Sequence, residues 1–114
     1  MLRRKITAAA LVSRLGAAAG LAMVALPAVA EITAPRAQAL EHMVIQDCGS
    51  CHGLTMKGGL GNPLTAAALD GAAPEALASI ILDGVPGTAM PPWRPLLTEE
   101  EADWIANYLL KDKK

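Results

Sequence analysis

The sequence has very few aromatic residues: two Trp, one Tyr and no Phe among 114 residues. No segment is rich in Val, Ile, Thr and aromatic residues at alternate positions, which is the pattern of a half-buried strand. The sequence therefore gives no support for a β-sheet. Because the remaining apolar residues recur at helical spacing between Gly and Pro clusters, we expect a small all-α domain.

Acidic residues are absent from the first 30 positions, where basic residues are followed by an apolar run over residues 15–30. A basic start, an apolar stretch and the small residues Ala28-Val29-Ala30 are typical of a cleavable secretory signal peptide. The run of about 16 residues is shorter than the roughly 20 that span a bilayer. We therefore expect residues 1–30 to be removed on export to the periplasm, with no stable membrane insertion, and residues 31–114 to form the mature domain. Ala37-Gln38-Ala39 is a second candidate cleavage site.

Basic residues are scarce after position 30, where six of them stand against eleven acidic residues and give a net charge of −5. This balance argues against nucleic-acid binding, which needs a basic surface. It favours a partner protein with a basic docking face. The 84 residues after position 30 make one small domain, and chains of this size often depend on a cofactor or a covalent link for stability. We expect a monomer.

The two cysteines of the chain lie in Cys48-Gly49-Ser50-Cys51-His52, the C-x-x-C-H pattern that attaches a c-type haem covalently. Two thiols three positions apart can each bond to one vinyl group of the same porphyrin, and the His that follows can place its Nε2 on the iron. We therefore predict one covalent haem, held by Cys48 and Cys51 and ligated by His52. A largely apolar macrocycle would also contribute its faces to the core of a small domain.

Three other uses of the same cysteines have to be compared with haem attachment. A thioredoxin-like C-x-x-C pair needs a strand-helix-strand context, which the composition does not provide. A structural zinc site needs four ligands, and only His42 could join Cys48, Cys51 and His52. A disulfide between the two cysteines would leave His52 without a role. Because C-x-x-C-H is far more specific than C-x-x-C, haem attachment is the favoured interpretation.

Apolar spacing and capping residues predict three helices and one tight loop. A first helix is predicted over residues 35–48, and residues 58–63, with three Gly and one Pro, predict the loop. A second helix over residues 74–83 should end at Gly84. Thr98 and Glu101 form a capping box that should begin the last helix. The expected buried positions are Leu40, Met43 and Val44 in the first helix, Leu77, Ile80 and Ile81 in the second, and Ala102, Ile105, Ala106 and Leu109 in the last.

A haem bound by one His leaves the opposite side of the iron for a second ligand. Met43 and His42 lie on the helix that leads into the attachment motif, and Met56 follows His52 by four residues. These positions restrict the reach of all three side chains toward the opposite side, so we expect Met43 and Met56 to be packing residues.

Met90 is the favoured second ligand. It lies 38 residues beyond His52, in the Pro-stiffened loop Gly87-Thr88-Ala89-Met90-Pro91-Pro92-Trp93 between two predicted helices, where the chain can present a sulfur to the far side. A Met and His pair raises the reduction potential of haem iron relative to nitrogen pairs, and it fills both axial positions. The predicted ligand set therefore favours electron transfer over the binding of oxygen species. Trp93, which follows the loop, is expected either to cover the haem or to contact a partner.

The attachment motif, Met90 in a Met-Pro loop and the final Ile105-Ala106-Asn107-Tyr108-Leu109 together resemble the class I cytochromes c. Residues 48–61 and 86–93 more closely resemble the NirC-type monohaem cytochromes of denitrifying bacteria. The resemblance implies three to five helices around one haem, with the first and last helices packed crosswise. It also implies that Pro63, through its carbonyl, accepts a hydrogen bond from His52 Nδ1 and increases the basicity of that ligand.

The resemblance further implies a function as a single-electron carrier, taking electrons from an upstream donor and passing them to cytochrome cd1 nitrite reductase. An accessory role in maturing the special haem of that reductase is the first alternative. An enzyme with an open haem position is the second, and it would require Met90 not to bind. In one respect the chain departs from the family: Leu40 and Val44 stand where a Gly and an aromatic usually form the helix crossing. We therefore expect a looser or rearranged crossing.

Overall fold

The computed structural model describes Gly20 and residues 22–111. Four α-helices lie in this part of the chain: α1 (Ala34–Met43), α2 (Gly49–His52), α3 (Pro74–Asp83) and α4 (Glu99–Leu110). A π-helical turn, Val44–Cys48, joins α1 directly to α2, so α1 and α2 are parts of one continuous helical segment. The described residues contain no strand, and the expected all-α fold is confirmed. The expected signal peptide lies mostly outside the described residues.

The helix boundaries follow from Pro, Gly and capping residues. Pro74 occupies the first turn of α3, where its missing N–H costs nothing, and Gly84 ends that helix. At the start of α4, the Glu101 N–H donates to Thr98 Oγ1 at 3.2 Å and the Thr98 N–H donates to Glu101 Oε2 at 3.0 Å. The capping box predicted from the sequence is therefore present, and the predicted bounds of α3 are confirmed.

The π-helical turn was not predicted. In it the Gly49 N–H bonds to the carbonyl of Val44, five residues earlier, instead of four as in an α-helix. The predicted first helix over residues 35–48 therefore corresponds to α1 and this turn, and the helical path continues through the attachment motif to His52. π-helical turns are frequent at functional sites, and this one leads directly into Cys48.

The crossing of α1 with α4 forms the centre of the core. Leu40 and Val44 are 0% exposed and cluster with the four predicted apolar residues of α4, all of which are buried. Because Ala102 and Ala106 are small, α4 can accept the bulk that α1 contributes. The buried cluster at this crossing thus combines Leu40 of α1 and Val44 of the π-helical turn with two small residues of α4, Ala102 and Ala106, and two large ones, Ile105 and Leu109.

Two polar contacts fasten the same crossing at its edges. Arg36 Nε donates to Glu101 Oε1 at 2.5 Å, and the Tyr108 hydroxyl donates to Glu41 Oε1 at 2.8 Å. The Tyr108 ring stacks on Trp104 with centroids 5.1 Å apart. Partial burial and the bond to Glu41 raise the pKa of Tyr108 to about 12, so the hydroxyl remains a donor at neutral pH.

The packing of α3 against α4 differs from the sequence prediction at one residue. Ala78 and Leu82 are the buried residues of α3, with Leu77 and Ile81 half-buried beside them. Ile80, which we expected on the buried face, is 45% exposed. Ala78 and Leu82 shift the buried stripe around the helix, away from Ile80. Within the described residues, no helix has the length and apolar character needed to cross a membrane.

Candidate haem site

The attachment motif lies at the end of the helical segment that begins with α1. Cys48 closes the π-helical turn and is half-buried, and Cys51 lies three residues later on α2 with its side chain exposed. Both thiols are free. Since residues three apart on a helix share a face, the two sulfurs project on the same side, as attachment to one porphyrin requires.

The Cys48 thiol is not activated by its surroundings. Burial first, and the charge of neighbouring Asp47 second, raise the pKa of Cys48 above its usual value. Redox-active C-x-x-C motifs instead have a thiol whose pKa is lowered. The environment of Cys48 therefore argues against a thioredoxin-like dithiol and agrees with a thiol that is consumed once, in a covalent attachment.

His52 is oriented by a backbone carbonyl. Its Nδ1 lies 2.6 Å from the carbonyl oxygen of Asn62. Because a carbonyl oxygen can only accept, Nδ1 carries the hydrogen and Nε2 keeps the lone pair of the neutral ring. A carbonyl partner on the remote nitrogen is the usual support of a metal-ligating His, since it fixes the ring and increases its basicity.

The acceptor of that hydrogen bond corrects one prediction. We expected the carbonyl of Pro63 to accept from His52 Nδ1, and the structure places the carbonyl of Asn62 there instead. The role of Pro63 is indirect: a proline disfavours the helical conformation of the residue before it, and it thereby restricts how Asn62 presents its carbonyl. The expected support of His52 exists, one residue earlier in the chain.

The loop after His52 folds back on the attachment motif through backbone hydrogen bonds. The Gly58 N–H donates to the carbonyl of His52 and the Gly61 N–H donates to the carbonyl of Cys51, both at 2.8 Å. A Cβ on Gly61 would lie 2.7 Å from the Nδ1 and Cε1 atoms of the His52 ring. Gly61 is therefore required for the close approach of backbone and imidazole. Neither this contact nor the role of Asn62 could be assigned from residue spacing, although the Gly-rich run marks the loop.

Met90 is half-buried in the loop between α3 and α4. Its carbonyl accepts from the Val85 N–H at 3.2 Å, and its N–H donates to Thr88 Oγ1 at 3.3 Å. The Thr88 hydroxyl in turn donates to the Val85 carbonyl at 2.7 Å. Both backbone polar groups of Met90 are thus connected to Val85, one directly and one through Thr88, so the side chain projects from a fixed point.

Trp93 closes the Met90 loop against α3. Its N–H is shared between the carbonyls of Ile81 and Leu82, both at 3.1 Å, and its half-buried side chain packs against the core. The side chain is therefore not freely exposed, and its two expected roles, covering the haem and contacting a partner, stay predictions.

The other candidates for the second ligand occupy different environments. Met56 is 7% exposed and belongs to the core, and Met43 is half-buried against that core, as expected of packing residues. His42 is exposed on α1. No group of three or more His, Cys, Asp or Glu side chains in the described part of the chain could hold a metal ion.

The residues present fit a covalently held haem. Two free thiols project from one helical face, and the imidazole that follows them has its Nδ1 satisfied and its Nε2 available. The structure places Cys48, Cys51, His52 and Asn62 in one unit at the end of α2, and Met90 and Trp93 in a second unit at the end of α3.

Comparison with known proteins places the chain among c-type cytochromes. Residues 35–109 match the family model described as cytochrome C oxidase, cbb3-type, subunit III. The chain is similar to cytochrome c55X of Paracoccus denitrificans strain Pd 1222, with 68% identity over 78 residues that cover 68% of this chain and 76% of the relative.

Two solved structures are also similar. One is the c-type cytochrome NirC, with a TM-score of 0.67 and 47% identity over 68% of this chain and 92% of that chain. The other is the dihydro-heme d1 dehydrogenase NirN in complex with DHE, with a TM-score of 0.60 and 32% identity over 64% of this chain. The similarity covers only 16% of the NirN chain, so in NirN this fold is a small part of a longer protein.

Proposed function

The chain belongs to the NirC-type monohaem cytochromes c, and from this membership we propose that it is a periplasmic carrier of single electrons whose haem iron is ligated by His52 and Met90. Membership gives the chain one covalent haem c and a place in electron transfer. Three further features are proposed for this chain: the ligand pair, the periplasmic compartment and the redox partners. Residues 1–30 are proposed as the signal peptide and residues 31–114 as the cytochrome domain.

One observation supports the proposed ligation above all. The hydrogen bond from His52 Nδ1 to the Asn62 carbonyl, at 2.6 Å, leaves Nε2 as the only nitrogen lone pair of the ring. When bound, a c-type haem supplies a one-electron couple between ferric and ferrous iron. A His ring whose Nδ1 is held by a backbone carbonyl has a fixed orientation and directs Nε2 toward a metal, so the ring is oriented for ligation.

Met90 is proposed as the second ligand because its backbone is fixed on both sides while the rival Met56 is committed to the core. A thioether ligand favours the ferrous state and raises the potential relative to nitrogen pairs. With both axial positions taken by side chains, the proposed role is to accept and release electrons and to turn over no substrate.

The proposed partners are an upstream donor and cytochrome cd1 nitrite reductase. A groove of about 260 Å³ between α3 and α4 supports docking of a basic surface, because Glu75, Glu99 and Asp103 line it. Arg94, at the end of the Met90 loop, lies at the same groove and pairs with Asp83 and Glu99. The acidic groove is therefore continuous with the residues that follow the proposed ligand.

A second function is favoured by the similarity to NirN, which is a dihydro-heme d1 dehydrogenase. A dehydrogenation releases electrons and needs an acceptor. A separate carrier can be that acceptor if it takes the electrons one at a time, in successive encounters, and this chain would then serve the maturation of the reductase cofactor rather than the turnover of nitrite.

Deletion of the gene separates the two functions. If the chain is an electron donor, the reductase isolated from the deletion strain should contain its full set of haems and should regain activity with an artificial donor. If the chain serves maturation, the reductase should lack its special haem, and an artificial donor should not restore activity. A deletion strain with a complete reductase and normal nitrite reduction would contradict both. The protein isolated from the periplasm should have the mass of residues 31–114 plus one haem.

A further inference from the structure

Gly84, at the end of α3, is in direct contact with the backbone that carries Met90. Its φ is +66°, in the left-handed region. A Cβ built on Gly84 would lie 2.7 Å from the carbonyl oxygen of Met90 and 2.8 Å from both the Pro91 carbonyl carbon and the Pro92 nitrogen. All three atoms belong to backbone, which cannot move aside as the end of a flexible side chain can.

The hydrogen bonds around Gly84 keep that contact in place. Val85, the next residue, donates from its N–H to the Met90 carbonyl and accepts from Thr88, whose hydroxyl also accepts from the Met90 N–H. Three residues after Met90, the Trp93 N–H donates a hydrogen bond to the carbonyls of Ile81 and Leu82 in α3. The segment from Met90 to Trp93 is therefore held to the last turn of α3 on both sides of its two prolines.

The last turn of α3 is a firm support for this segment. Leu82 is 4% exposed and belongs to the core that α3 shares with α4. The two prolines restrict the backbone that follows Met90. The distance between the Met90 loop and α3 is therefore determined at their point of contact, the Cα of Gly84, which carries no side chain.

We propose that Gly84 is a positioning residue for Met90: because it has no side chain, the Met90-Pro91-Pro92 backbone can lie on the end of α3, and this contact determines whether the Met90 sulfur reaches the haem iron. The proposal rests on the proposed ligation by Met90. It goes beyond that ligation because it states that the position of the Met90 sulfur depends on a contact with a residue six positions earlier.

Gly84→Ala tests the proposal, and the chain offers two matched controls. Gly87 and Gly71 both have φ of +78°, and a Cβ on either would meet nothing within 4 Å. Gly87→Ala and Gly71→Ala therefore also place a side chain at a positive φ but without the clash, the first inside the Met90 loop and the second outside it. The readouts are the weak near-infrared sulfur-to-iron band of the ferric protein, its reduction potential and its binding of cyanide.

We expect Gly84→Ala to lose the near-infrared band, to have a lower potential and to bind cyanide readily, while both controls retain the wild-type band. If Gly84→Ala keeps the band and the potential of Gly87→Ala, the proposal is overturned. A wild-type protein without the band, or a Met90→Ala variant that keeps it, would instead disprove ligation by Met90.

If Gly84→Ala fails to yield folded protein with haem, Thr88→Val tests the same support without backbone strain. It removes the hydroxyl that joins Met90 to Val85, so we expect faster cyanide binding, which Thr88→Ser should reverse. Thr65→Val is the matched control, because Thr65 Oγ1 accepts a comparable backbone bond from Ala68 at 3.2 Å in another loop. Wild-type cyanide binding by Thr88→Val would overturn the proposal.

Discussion

At the scale of single residues, the environment of His52 depends on backbone groups. Asn62 contributes its carbonyl and Gly61 contributes the absence of a side chain. The imidazole is thus held between a hydrogen bond and a van der Waals contact, and its tautomer follows from the first of these. Small changes in this loop should therefore alter the reduction potential of the haem even though no ligand is replaced.

Gly61→Ala should displace the His52 ring, because the new Cβ would lie 2.7 Å from two ring atoms. The hydrogen bond to Asn62 should weaken, the ligand should become less basic, and the reduction potential should change while the haem stays covalently attached. Protein-film voltammetry of the holoprotein would measure the shift. Leu60→Ala, at a neighbouring side chain that is 94% exposed, is the control. Equal potentials for wild type and Gly61→Ala would show that the contact is unimportant.

Residue patterns predict the side chains that would attach and ligate the haem, but not the backbone groups that support those side chains. The C-x-x-C-H motif predicts both attachment thiols and the proposed ligand His52, since covalent chemistry demands a fixed spacing. The carbonyl that supports His52 could not be assigned in the same way, because every residue of the loop has one and only the folded path selects Asn62 over Pro63. The contact of Gly84 with Met90 likewise joins two segments whose approach no local pattern specifies.

At the scale of helices, Glu101 links the start of α4 to α1. One carboxylate oxygen accepts from Arg36 Nε and the other from the Thr98 N–H. The hydrogen bond from Arg36, followed by that from Thr98, lowers the pKa of Glu101 below its usual value of 4.5. A group whose pKa is lowered by folding stabilises the folded state above its unfolded pKa, and this stabilisation disappears as the pH falls through the lower folded value.

Glu101→Gln should therefore be less stable than wild type at neutral pH, by up to about 1 kcal/mol, because it loses the ion pair with Arg36 while a Gln at this position can still accept the capping bond from Thr98. Between pH 7 and pH 5 the difference should be nearly constant, and below pH 4.5 it should decrease as the wild-type carboxylate takes up its proton. Urea unfolding across this pH range measures it. Glu100→Gln removes an exposed charge from the same turn and is the control; an identical pH profile for both variants would refute the specific role of Glu101.

The crossing of α1 and α4 should be the most sensitive part of the core. Leu40→Ala removes a side chain that is 0% exposed, and losses of about 2–5 kcal/mol are typical of such changes. Ile80→Ala, at a residue that is 45% exposed, should cost only about 0.5 kcal/mol, as surface substitutions do. Denaturant midpoints of the two holoproteins provide the comparison. Equal midpoints would mean that the crossing contributes little to stability.

Helix ends were predictable where capping residues mark them, as at Thr98 and Gly84. The π-helical turn was not, because apolar residues three and four apart are compatible with either helical geometry and only the hydrogen bond from Gly49 to Val44 distinguishes them. The exposure of Ile80 does not follow from the spacing of the large apolar residues of α3, because the buried face is defined in part by the small Ala78.

At the scale of the whole molecule, the charge of residues 31–114 is −5, and part of it lines the groove between α3 and α4. Encounters between small redox proteins are weak and of limited area, so this charge should act mainly on the association rate. Raising the salt from about 0.01 M to about 0.15 M shortens the Debye length from roughly 30 Å to roughly 8 Å. The second-order rate of electron transfer to the reductase should fall clearly over this range in stopped-flow experiments.

Asp103→Asn should weaken this salt dependence, because Asp103 lines the groove. Asp70→Asn, at an exposed acid outside the groove, provides the control for a change of overall charge. A rate that is constant or rises with salt would rule out acidic steering altogether.

The near-infrared spectrum of the ferric holoprotein tests the central claim, a covalent haem held between His52 and Met90, most directly. The wild-type protein and Met43→Ala should show the sulfur-to-iron band, while Met90→Ala should lack it and should bind cyanide or carbon monoxide at the opened position. If the band persists in Met90→Ala, the sulfur on the iron belongs to another residue and the proposed ligand pair is wrong.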